Sequence, residues 1–80
     1  MNLRTAVIQK MQNSSSNDIF KTISDAINSQ NEQTLPGLGV LLELYWNNIS
    51  PSDKQNICSE LSNLLQKWGN QIGFPHYFIL

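Results

Sequence analysis

Cysteine, histidine and charge are all scarce in this chain, and each scarcity closes off a class of function. There is one cysteine, Cys58, so no intrachain disulfide can form, as suits a reducing compartment. There is one histidine, His76, and no cysteine stands at ligand spacing from it. A zinc site needs several such ligands, so neither a metal nor a cofactor is expected. Charged residues make up only 14% of the chain, and its five cations, Arg4, Lys10, Lys21, Lys54 and Lys67, are spread singly. A protein that holds duplex nucleic acid by neutralising phosphates shows a basic stripe. None is visible, so nucleic-acid binding is not expected, and a helix-turn-helix reading ranks last because no helix presents a basic face.

Long apolar runs are missing too. The longest candidate, 35–46, is broken by Pro36, Gly37, Gly39 and Glu43. It falls short of the roughly 20 residues that cross a bilayer, so no membrane association is expected. Residues 1–11 mix polar and apolar side chains without a cleavage-site pattern, which excludes a signal peptide. The sequence is thus expected to be soluble and intracellular. No G-x-S-x-G elbow exists, and Cys58 falls beside the apolar face of a helix, where a small buried cysteine is an ordinary core residue. Gly37 and Gly39 suggest a phosphate loop, but the basic residue and the preceding strand that such a loop needs are both absent. The expectation is a protein with no catalytic site and no small-molecule substrate.

What the chain does contain is amide, hydroxyl and helical periodicity. Ten Asn, seven Gln and nine Ser supply the polar surface that charge does not. Eighty residues allow one small domain with a narrow stability margin. Leu3, Ala6, Val7 and Met11 recur at helical spacing, and Ser15 with Asp18 reads as a capping box opening a second helix over about 16–28. Ile19, Ile23, Ala26 and Ile27 form its apolar stripe, with Phe20 at the edge. Residues 31–34 read as a polar connector. Pro36 suits the first turn of a third helix. In that helix Leu38, Leu41, Leu42, Tyr45 and Ile49 make one face and Val40 and Leu44 much of the other, leaving Glu43 and Asn47 as a narrow polar strip. A helix apolar nearly all round belongs at the centre of a bundle.

Ser50, Pro51 and Asp53 are the clearest helix start in the chain: a capping hydroxyl, a proline at the first position and an acid in the first turn. Ile57, Leu61, Leu64, Leu65 and Trp68 then share a face, and Gly69 suits a left-handed cap. No stretch alternates over strand length. The fold class expected is all-α, a small bundle of about four short helices around a buried central helix. The helical domain spans 1–68, followed by an apolar C-terminal tail, 69–80. Gly37 and Gly39 are read as permitting close approach of another backbone. Tyr45 and Trp46, with Phe74, Tyr77 and Phe78 of the tail, form the candidate interaction surface, through which the chain would self-associate or bind a protein partner.

The run Leu35, Pro36, Gly37, Leu38, Gly39, Val40, followed by Glu43 and Trp46, resembles the small acid-soluble spore protein I family. The opening Leu3-Arg4-Thr5-Ala6-Val7-Ile8 resembles that family's Leu-Arg-x-Ala-Val-Ile, and Ile23-Ser24-Asp25-Ala26-Ile27 resembles its Ile-Val-Asp-Ala-Ile. The order and spacing of the three blocks agree over about 1–65. The resemblance implies a minor protein of the developing spore in endospore-forming Firmicutes, held in the forespore cytoplasm and then the spore core. It implies no enzyme and no assigned molecular mechanism. It also separates the chain from the abundant spore proteins that coat DNA. The tail and Cys58 depart from the family pattern.

Overall fold

The computed structural model describes residues 2–72, and the side chains of 2–67. Within these bounds every regular element is helical: α1 (Leu3–Met11), α2 (Ser16–Ser29), a 3-10 turn η1 (Glu32–Thr34), α3 (Leu35–Trp46) and α4 (Pro51–Ile72). No described helix is long and apolar enough to cross a membrane. The chain divides into two compact units, Met1–Asn48 and Ile49–Leu80. The protein is all-α, as its periodicity predicts.

The helix starts are set by side chains of the chain itself. Asn2 Oδ1 accepts from the Thr5 amide at 2.8 Å, Ser15 Oγ from Asp18 at 3.1 Å and Ser50 Oγ from Asp53 at 3.1 Å. Asn31 Oδ1 does the same for η1, accepting from Gln33 at 2.9 Å. Each contact satisfies one of the amides that a helix start leaves without an intrahelical partner. At α3, Pro36 lies at the start and Thr34 makes no side-chain cap bond. α2 ends on Gln30, whose φ of 54° is the only positive value at a non-glycine residue among those described. Its amide returns to the Ile27 carbonyl at 3.2 Å, so the left-handed turn recovers a hydrogen bond in exchange for its steric cost.

Within the first unit α3 is the element on which the others assemble: α1 lies along it and η1 leads into it. Thr34 Oγ1 donates to the Asn31 carbonyl at 2.8 Å and reaches the Ala26 carbonyl of α2 at 3.4 Å. The core is narrow. Among the described residues Val40, 8% exposed, is the buried hydrophobic one, and Ala6, Val7, Met11, Ile19, Ile23, Leu38 and Leu41 are half-buried.

Burial on α3 is therefore one-sided, and it follows only part of the face that the sequence suggests, since Leu38 and Leu41 are half-buried. Leu42, Leu44 and Tyr45 are all exposed. Pro36 and Glu43 are exposed as well, so burial centres on Gly37, Leu38, Val40 and Leu41. α1 borders α3 on two sides, with Val7 and Met11 across from Leu38 and Leu41, and with Arg4 bonded to the exposed Glu43. On α2, Ile27 of the expected stripe is exposed together with Phe20.

Three further expectations are corrected. Residues 32–34 form a turn of 3-10 helix rather than an irregular connector. α4 continues to Ile72, so Gly69 lies within the helix and does not cap it. Cys58 is exposed, not a core residue.

Candidate functional site

The family-like run 35–40 occupies the first turn and a half of α3, and its residues fall on two sides. Leu35, Pro36 and Gly39 are exposed, Gly37 and Leu38 are half-buried, and Val40 is buried. On one side Gly37, Leu38 and Leu41 face Val7 and Met11 of α1 and Ala26 of α2 across an open, almost wholly apolar groove of about 180 Å³. On the other, Pro36, Gly39, Val40 and Glu43 border a second groove of about 280 Å³, closed by Asn2, Leu3 and Arg4. Each glycine thus opens on a different groove.

A Cβ built on Gly37 or Gly39 would meet nothing within 4 Å. The expectation that these glycines admit a neighbouring backbone is not met in this structure. What they do is lower the walls of the two grooves.

The second groove holds a two-pronged ion pair. Arg4 Nε donates to Glu43 Oε1 at 2.6 Å, and Arg4 Nη2 donates to Glu43 Oε2 at 2.9 Å. A planar guanidinium on a carboxylate in this two-pronged geometry fixes orientation as well as distance. The hydrogen bond from Arg4 pulls the Glu43 carboxyl below its ordinary range; desolvation opposes it and the positive charge of Arg4 adds the smallest effect. The same bond, with Coulomb attraction, raises Arg4. Both side chains remain well exposed. The pair works chiefly as a clamp setting how α1 lies on α3, since an exposed ion pair adds little to stability. Sequence reading places Arg4 and Glu43 in separate blocks and misses their meeting. No local signal links residues so far apart, whereas the Lys21–Asp25 pair at 2.9 Å follows from one-turn helical spacing.

Neither groove brings together a nucleophile and a base. Among the described residues no group of three or more His, Cys, Asp or Glu could hold a metal ion. Of the candidate interaction residues, Tyr45 is 56% exposed and Trp46 half-buried, both at the end of α3. Phe74, Tyr77 and Phe78 lie outside the described residues, as does His76.

The two blocks joined by the Arg4–Glu43 clamp are also where the chain is similar to known proteins. Residues 1–65 match the family model described as "Small, acid-soluble spore protein I". Proteins of that name match from Halalkalibacterium halodurans at 45% identity over 65 residues, covering 81% of this chain and 96% of the relative. One from Shouchella clausii matches at 44% identity, covering 82% and 96%, and one from Bacillus licheniformis at 42%, covering 82% and 94%. No solved structure matches. The shared region takes in α1, α2, η1, α3 and most of α4, with both grooves and the clamp inside it, and on that extent of similarity the chain belongs to the small acid-soluble spore protein I family.

Proposed function

We propose that the chain is a minor, non-catalytic protein of the spore core, made in the forespore, with a structural, protective or storage role in the dry compartment. Family membership supports the setting. The observation that carries the role is the origin of the helix caps. The starts of α1, α2, η1 and α4 are each capped by an Asn or Ser side chain of the chain itself. Helix-end amides that lack such partners depend on water. A chain that satisfies one amide at each of these four starts from its own side chains, and draws its polar surface from amides and hydroxyls rather than charge, keeps those bonds when water is withdrawn.

Two experiments test this. Mass spectrometry of acid extracts from purified spores and from growing cells should find the chain in spores only; abundance in growing cells contradicts the reading. Drying and rehydrating the purified protein should return the original helical circular dichroism, and irreversible aggregation counts against a protective role.

A second reading is an interaction module working through Tyr45, Trp46 and the tail. The exposure of Tyr45 beside exposed Leu42 and Leu44 favours it. It predicts weaker self-association or partner binding after Trp46→Ala or removal of the residues beyond Gly69. A monomer at high concentration, unchanged by either, removes the self-association version.

A further inference from the structure

Among the described residues of the second unit, Leu61, Leu64 and Leu65 form an exposed apolar stripe that begins at the half-buried Ile57. Ile57, Leu61 and Leu64 step along α4 by four and three positions, and Trp68 continues the sequence spacing by four. This is the seam of a two-stranded coiled coil. In the single chain Leu61 is 47% exposed, Leu64 62% and the flanking Leu65 37%. A stripe of this kind on a 22-residue helix is apolar surface that association would bury.

We propose that α4 pairs antiparallel with α4 of a second copy of this chain, in the register that sets Leu61 of each against Leu64 of the other. The flanks of the seam select both the partner and the direction. One flank carries Glu60 and Lys67, the other Cys58 and Leu65, all four exposed. In an antiparallel pair each flank faces its own kind. In the register stated, Glu60 of one copy meets Lys67 of the other, and two-fold symmetry makes this pair twice. Cys58 meets Leu65 across the opposite flank, so apolar faces apolar. A parallel pair would set Glu60 against Leu65 and leave the charges without complements. Opposite charges seven residues apart on one flank thus make the helix complementary to its own reverse, which identifies a second copy as the partner.

The pairing does not rest on the spore reading and uses a different surface from Tyr45 and Trp46. Sedimentation equilibrium of the full chain at low salt should show a reversible monomer–dimer equilibrium. Leu64 is mostly exposed in the single chain, so Leu64→Lys should keep the helical circular dichroism and remain monomeric throughout. Glu60→Lys and Lys67→Glu should each weaken dimerisation by about three- to ten-fold, as expected when two flanking pairs turn from attractive to repulsive. The double variant Glu60→Lys/Lys67→Glu should restore it. A wild-type monomer at every concentration overturns the proposal, and so does a dimer that survives Leu64→Lys. A double variant no stronger than the singles overturns the antiparallel register. A dimer abolished by Trp46→Ala but not by Leu64→Lys assigns association to the α3 surface and overturns it as well.

Discussion

The two units solve the same problem, covering apolar helix faces in a very short chain, in different ways. In Met1–Asn48 three helices and a 3-10 turn form one unit with Val40 buried in it, and a two-pronged ion pair orients α1 on α3. In Ile49–Leu80 the described structure is mainly one helix with a capped start and an open leucine stripe. A helix gains most of its stability from packing its apolar face, not from propensity. The first unit therefore supplies packing of its own, while for α4 the proposed pairing with a second copy would supply it. Family similarity covers the first unit entirely and α4 only in part.

Truncation in the two units breaks or sharpens this contrast most strongly. Val40→Ala should cost about 2 kcal/mol in chemical denaturation, the loss of two buried methyl groups plus the space they leave. Leu61→Ala, though a larger cut, should cost less than about 1 kcal/mol in dilute protein, because half of that side chain is already in water. Equal losses would erase the distinction between the units.

Cap removal comes next. Ser15→Ala and Ser50→Ala should each cost about 1 kcal/mol. Residue-resolved amide exchange should place the first loss at the start of α2 and the second at the start of α4. A loss spread evenly over both units would mean they open as one.

A smaller effect should have the opposite sign. Gly37→Ala and Gly39→Ala should each stabilise the first unit by about 0.5–1 kcal/mol, since helical glycine is costly and the added methyl meets open space. Destabilisation in thermal melts would restore the close-approach reading of these glycines.

The smallest effect is the pH dependence of the clamp. Because the Glu43 carboxyl is held below its ordinary value in the folded protein, its contribution is present above the titration of the unfolded carboxylate. It is lost as pH falls through the depressed value. Glu43→Gln should flatten the acid limb of the stability profile of the first unit and leave neutral-pH helix content almost unchanged. An acid limb identical to wild type would show that the clamp contributes nothing there.

Most of the fold is legible in the sequence because its signals are local. Ser15 with Asp18, and Ser50 with Pro51 and Asp53, announce helix starts by chemistry within one turn, and the structure places both caps where those residues predict. Asn2 and Asn31 cap by the same chemistry but precede weaker patterns, so they pass unnoticed. What is not legible depends on which side of α3 its neighbours occupy. An apolar residue stands on nearly every side of that helix, so periodicity cannot single out Gly37, Leu38, Val40 and Leu41 as the covered side. The choice is made by α1 and by an Arg4–Glu43 contact whose partners are far apart in sequence. The same holds for the candidate site. The run 35–40 is recognisable as a motif, but that its two glycines open on separate grooves emerges only once α1 and α2 are in place. Gly69 fails as a stop signal because helical conformation continues through it to Ile72.

The contrast between a self-sufficient first unit and a partner-seeking α4 is tested most directly by amide hydrogen exchange at increasing protein concentration. The account predicts that protection along α4, around Leu61 and Leu64, rises with concentration while protection in α1 and α3 stays constant. Protection of α4 that is already as high in dilute solution, and that does not respond to concentration, would contradict it.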